Sequence, residues 1–183
     1  MKMINYLSET NPDKLQRCVN NHGNRTGKTA LHNAVDQGFP SVVKKLLEIP
    51  GIKLDAQDDF GYTPLHRSFL PNCPVSIPIM LIEHGADFSI VDERKSTPLV
   101  SGLLFWKNDW FVPLVLEHID YDIRQRDGQG FDILRWAVEC RRPGVVKKLM
   151  MMGANPDARD NNGISTKESI YGKTKEIAEL LNS

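Results

Sequence analysis

Apolar residues in this chain come as paired short clusters separated by polar stretches, and the pairs recur. The copy that begins near Asp58 shows the pattern most fully. Gly61 permits a tight turn, and Thr63 offers its hydroxyl as a cap to the free amides of a helical first turn. Pro64 takes the first helical position, where its missing N–H is not needed. Leu65 then faces inward on a short helix ending near Leu70, and Ile79, Leu81 and Ile82 predict the apolar stripe of a second helix. Gly85 ends that helix, because glycine accepts a left-handed backbone without a side-chain clash. The preceding copy repeats the grammar with Thr29, Leu31 and Ala34, then Leu46, Leu47 and Gly51. Later copies carry Thr97-Pro98-Leu99, then Asp132-Ile133-Leu134 with Ala137 and Val138, and finally Gly163-Ile164-Ser165-Thr166, Ile170, Ile177, Leu180 and Leu181. At the front, Met3, Ile4 and Leu7 with Leu15, Cys18 and Val19 predict a helix pair whose second member starts at Asn11 and Pro12.

The copies match in letter as well as pattern. Thr29-Ala30-Leu31-His32 returns 34 residues on as Thr63-Pro64-Leu65-His66, and Val42-Val43-Lys44-Lys45-Leu46 returns 103 residues on as Val145-Val146-Lys147-Lys148-Leu149. Three unit lengths span that second interval. A period near 33 residues containing T-P-L-H, with Gly85-Ala86-Asp87 and Gly153-Ala154-Asn155 as terminators, resembles the ankyrin repeat family. The resemblance implies an all-α repeat solenoid of stacked helix-turn-helix units joined by β-hairpin finger loops; the residues alone say only turn or loop for Lys53 to Phe60, Phe88 to Lys95, Tyr121 to Gln129 and Asp157 to Asn162. One domain over residues 1–183 is expected, with a degenerate cap at 1–23, repeats at 24–57, 58–91, 92–126 and 127–159, and a capping repeat at 160–183.

The fourth unit departs from its neighbours. Val100 stands where earlier copies have His32 and His66, and Ile119 stands where Gly51, Gly85 and Gly153 end the other second helices, so its exit turn should be built differently. It also carries Phe105, Trp106 and Trp110 across the turn between its helices. Pro78 and Pro113 fall near the start of second helices, which should therefore begin late and be short. Met150-Met151-Met152 reads as flexible packing between units.

Charge is balanced, with 23 Lys and Arg against 23 Asp and Glu, which removes the electrostatic pull that nucleic acid or an anionic membrane requires. No signal-like or membrane-length apolar run is present. Cys18, Cys73 and Cys140 are widely spaced and odd in number, which fits a reducing compartment, so the expected location is cytoplasmic or otherwise intracellular, including delivery into a host cell. Five histidines show no metal-ligand spacing, and no phosphate-cradling glycine motif occurs. No metal, cofactor or catalytic residue is expected. Cys140 reads as a partly buried inert thiol. The resemblance implies that His32 and His66 bond backbone near the helix start and tie one unit to the next.

What is left is a surface. In ankyrin-like stacks the fingers and first helices line a concave groove, and the positions flanking each turn glycine vary. Those positions are Arg25, Thr26 and Lys28; Asp59, Phe60 and Tyr62; Glu93, Arg94 and Ser96; Gly128, Gln129 and Phe131; and Asn161, Asn162 and Ile164. Asp36, Gln37, Arg67, Leu70 and Glu139 should face the same way. Arg25, Lys28, Asp59, Phe60, Tyr62, Arg67, Glu93, Arg94 and Phe131 are thus the expected contacts of a protein partner, since aromatics and Arg are enriched where proteins meet. The function expected is a non-catalytic, monomeric protein-binding module. An alternative is an adaptor, inhibitor or delivered effector that docks or self-associates through Trp106 and Trp110; an enzyme is the remote third class.

Overall fold

The structure is a computed structural model and describes residues 11–21, 25–70, 73–105, 111–118, 121–169, 171–172 and 174–182. It forms two compact units, Met1–Glu93 and Arg94–Ser183. The first contains α1 (Pro12–Asn20), α2 (Ala30–Asp36), α3 (Pro40–Leu47), α4 (Pro64–Ser68) and α5 (Ser76–Glu83). The second contains α6 (Pro98–Phe105), α7 (Phe111–His118), α8 (Ile133–Glu139), α9 (Pro143–Met151) and α10 (Lys175–Leu181). Regular structure among the described residues is entirely helical. The joining segments are tight turns rather than strands, with one isolated antiparallel bridge between Arg159 and Ser165.

Local chemistry starts these helices where the sequence says. Asn11 accepts the Lys14 N–H at 2.9 Å, with Pro12 at the first position of α1. Thr63 accepts the His66 N–H at 3.3 Å, and Pro64 opens α4. Such short helices are too short to be stable alone and depend on packing. Leu31, Leu65, Leu99 and Leu134, which occupy matching places on first helices, are at most 1% exposed. Burying each of these leucines contributes about 1.5–3 kcal/mol. Second helices supply the other wall through Leu46 and Leu47, Ile77 and Leu81, Val115 and Leu116, Val146 and Leu149, and Ile177 and Leu181. Within the first unit α2 packs on α4 and α3 on α5; within the second, α6 packs on α8, α7 on α9, and α9 on α10. In these pairs a helix meets its own counterpart one copy along, as repeat stacking requires.

Several expectations need correction. The buried stripe of α5 is Ile77 and Leu81, one helical turn apart, while Ile79 and Ile82 are half-buried on its flanks. Gly51 does not end α3: that helix stops at Leu47, with Glu48 as its cap, and Pro50 prevents the backbone from resuming it. Gly85 and Gly153 do act as terminators, each directly after its cap residue and at φ 84 and 82. Pro78 and Pro113 sit third in α5 and α7, where an N–H has no helical partner. Both helices begin late, but at eight residues they are as long as α3, so they are not short. Met151 is 77% exposed and does not pack between units. It lies two residues past buried Leu149, on the opposite side of α9. Ile119, Trp106, Trp110, Met3, Ile4, Leu7 and Ile170 lie outside the described residues. Beyond Ile119, where the fourth unit's exit turn is expected to differ, Asp122 Oδ1 accepts the Arg124 N–H at 3.0 Å, as Asp87 does for Ser89 and Asn155 for Asp157.

Candidate functional site

The finger turns are built on one aspartate each. Asp58 Oδ1 accepts the N–H groups of Phe60 and Tyr62 at 2.9 and 3.1 Å, while Gly61 N–H returns to the Asp58 carbonyl. Asp127 does the same for Gln129 and Phe131, and Asp160 for Asn162 and Ile164. In each case a residue at positive φ follows three places on: Gly61, Gly130 and Gly163. Asp92 is likewise followed by Lys95 at φ 63, a non-glycine holding a left-handed turn. The signal was present in the sequence as Asp-x-x-Gly, but a reading centred on the glycine passes over the aspartate.

The second carboxylate oxygen binds each finger to a helix. Asp58 Oδ2 takes the Arg67 guanidinium, with Nε at 2.6 Å. Asp127 Oδ2 takes the Trp136 indole N–H at 2.8 Å, 69 residues further on at both ends. Arg67 also reaches Asp36 at 3.3 Å, and Lys28 closes on Asp36 at 2.6 Å. Arg67 is thus buried and committed to internal ion pairs. The expectation that it contacts a partner is replaced by a positioning role. Removing one partner from such a buried set would strand the others.

His32 ties its helix start to the next copy as the resemblance implied, and His66 bonds at the start of its own helix. His32 Nδ1 accepts the Thr29 N–H at 3.2 Å, which fixes the Nε2–H tautomer, and Nε2–H donates to the Tyr62 carbonyl of the next copy at 2.9 Å. Burial holds its pKa below the usual histidine value. His66 Nδ1 accepts the Thr63 N–H at 3.1 Å. In the later copy Asp132 caps α8 through the Arg135 N–H at 2.8 Å, and the Arg135 guanidinium donates to the Ser165 carbonyl at 2.9 Å. Arginine there does what imidazole does earlier.

In the first unit the rings of Phe60 and Tyr62 lie 6.5 Å apart, and Tyr62 lies 5.7 Å from His66 with Arg67 over its face at 5.4 Å. Phe60 is 52% exposed at the outer end of this stack, and Tyr62 is half-buried. Arg25, Asp59 and Glu93 are exposed on the finger tips, and Lys28 is half-buried. Backbone bonds align the tips: Asp59 N–H donates to the Thr26 carbonyl, and Glu93 N–H to that of Phe60, both at 3.2 Å. The second unit places Arg94 on its surface and Phe131 half-buried, 5.4 Å from Trp136 and beneath Arg135 at 4.7 Å. Glu139 is engaged by Arg135 at 2.9 Å. Asn161, Asn162 and Ile164 are exposed. A groove of about 500 Å³ between α1 and α2, lined by Leu15, Val19, Ala34, Phe39 and Leu46, carries no charged side chain. Phe39 is 53% exposed, and no motif pointed to it.

Burial pushes the Cys73 thiol up to about 12 and raises that of Cys140, which keeps both protonated. Among the described residues no cluster of His, Cys, Asp or Glu could hold a metal ion, and no helix is long and apolar enough to cross a membrane.

Comparison with known proteins agrees with this architecture. A model of three-copy ankyrin repeats matches residues 2–92, and a single ankyrin repeat model matches residues 129–161. Neurogenic locus notch homolog protein 1 of Homo sapiens is 27% identical over 143 residues, covering 78% of this chain and 6% of that protein. Rabankyrin-5 of Mus musculus is 29% identical over 135 residues, covering 74% of this chain and 11% of its own length. The chain therefore spans a small fraction of the relatives it matches. The crystal structure of the ankyrin repeat domain of Bcl-3, a member of the IkappaB protein family, superimposes with a TM-score of 0.76 at 21% identity, over 100% of this chain and 91% of that one. Repeat period, helix pairing, histidine ties and family match converge: the chain belongs to the ankyrin repeat family.

Proposed function

We propose that this chain is a non-catalytic, monomeric module that grips a protein partner on the face formed by its fingers and first helices. Ankyrin repeats generally serve as protein-interaction modules. The observation that carries the reading is Phe60, half out of solvent contact at the end of a stack whose inner members are fixed by Asp58, Asp36 and Arg67. An exposed aromatic on a rigid support loses little entropy on binding, which is what makes such residues anchors. Arg25, Lys28, Asp59, Tyr62 and Glu93 are proposed contacts on the same unit, and Arg94 and Phe131 are proposed contacts on the second unit. The three free thiols support an intracellular setting. Residues 1–183 are proposed to act as one repeat domain.

The test is a pull-down with the intact chain, comparing wild type, Phe60→Ala with Tyr62→Ala, and Trp110→Ala, each checked for folding by circular dichroism. Loss of the partner in the double variant alone is expected. Loss only in Trp110→Ala would move the site to the aromatic turn between the helices of the fourth unit.

A further inference from the structure

We propose that Arg141 and Tyr171 form a latch that holds α10 and the turn before it closed on the end of α8. Arg141 follows Cys140, the cap residue of α8, and stands in the left-handed region at φ 53. Its counterpart 103 residues earlier is Gly38, at φ 63. The two turns are otherwise alike. Gly38 N–H donates to the Val35 carbonyl at 2.9 Å and Phe39 N–H to that of Ala34 at 3.1 Å, while Arg141 N–H donates to the Val138 carbonyl at 3.0 Å and Arg142 N–H to that of Ala137 at 2.9 Å. Glycine makes this turn without a side-chain clash, whereas arginine makes it under a backbone strain that the turn itself does not offset.

What offsets the strain lies in the last copy. The Arg141 guanidinium sits over the Tyr171 ring, 4.4 Å from its centroid, where the face of the ring attracts a cation. Tyr171 in turn sets the start of α10. Its carbonyl accepts the Thr174 N–H at 3.2 Å and the Thr174 hydroxyl at 2.9 Å, and Thr174, the cap residue of α10, accepts the Ala178 N–H on its own carbonyl at 2.7 Å. A path of side-chain and backbone contacts therefore runs from the end of α8 into the first turn of α10. That tie matters because Ser165 to Ser169 forms no helix, where α2, α4, α6 and α8 stand in earlier copies, so α10 lacks the first-helix partner that α9 finds in α8. With the latch closed, Ile177 and Leu181 stay buried.

Hydrogen exchange on the intact chain, read by mass spectrometry under native conditions, measures the opening of α10 in a double-mutant cycle. Arg141→Gly relieves the backbone strain whatever stands at position 171, so comparing its effect with and without Tyr171→Leu isolates the latch. With Tyr171 present, Arg141→Gly should speed α10 exchange about two- to five-fold more than it does alongside Tyr171→Leu, the range of an exposed cation–π contact. Arg141→Gln keeps the left-handed strain and removes the charge while leaving Tyr171 untouched, and it too should speed α10 exchange. Amides of α2, in the first unit, should keep their rates throughout. An equal effect of Arg141→Gly in both backgrounds, unchanged α10 exchange in Arg141→Gln, or a change that reaches α2 to the same extent would each overturn the latch.

Discussion

Substituting alanine for the finger glycines separates backbone strain from contact between fingers. Gly130 and Gly163 occupy the same place in successive turns of the second unit, at φ 79 and 76. Alanine at either pays for the left-handed backbone, about 1 kcal/mol. Their surroundings differ. A Cβ on Gly130 would meet the backbone nitrogen of Asn161 at 2.8 Å and also its side-chain oxygen, whereas one on Gly163 would meet nothing within 4 Å. Making room at Gly130 means displacing Asn161, which holds the finger through N–H to the Gln129 carbonyl at 3.2 Å and Nδ2 to the Gly128 carbonyl at 3.0 Å. At about 0.5–1.5 kcal/mol for each bond, the added loss is about 1–3 kcal/mol. Gly163→Ala should thus lower stability by about 1 kcal/mol and Gly130→Ala by about 2–4 kcal/mol. Urea unfolding followed by circular dichroism reads both. Equal midpoints for the two variants would refute the idea that fingers are held by close backbone approach.

Two further outcomes test the buried groups. Because burial depresses the His32 pKa below 6.5, the unfolded chain takes up the proton first; the stability it confers is complete above about pH 6.5 and lost as pH falls through that value toward the folded one. Thermal unfolding should show an acid limb below pH 6.5 that is shallower in His32→Gln, and a limb of unchanged slope would refute the assignment. Thiol labelling with a maleimide at neutral pH should modify exposed Cys18 first and Cys73 last, since the Cys73 thiol, pushed to about 12, presents almost no thiolate. Peptide mapping that finds Cys73 modified as fast as Cys18 would contradict that burial.

Helix starts were legible because each rests on a local rule: Asn11 with Pro12, and Thr63 with Pro64, satisfy their first turns from within a few residues. The exposure of Met151 was missed, although counting 3.6 residues per turn from Leu149 puts it on the outer side of α9. Arg67 could not be read correctly. Periodicity put it on the partner-facing side of its helix, but its fate depends on Asp58 and Asp36, brought to it by the finger and by the preceding copy. Of the expected contacts, Phe60 was the clearest, because an aromatic at a finger tip has no helix of its own to lean on. Tyr62 and Phe131, two residues nearer their helices, lean on His66 and Trp136.

The copy around α8 explains why the letters of the repeat can drift while the fold stays. Thr63, His66 and Arg67 become Asp132, Arg135 and Trp136 at equal offsets, yet a cap on the third amide and a donor to the finger aspartate survive, and Arg135 gives the Ser165 carbonyl what His32 gives that of Tyr62. Imidazole and guanidinium both supply a planar N–H at the end of a side chain, and so do guanidinium and indole. What the repeat conserves is a donor at a given place, whichever residue provides it. An aliphatic residue at such a place, as Val100 is in the fourth unit, ends that exchange, since it has no side-chain N–H to give.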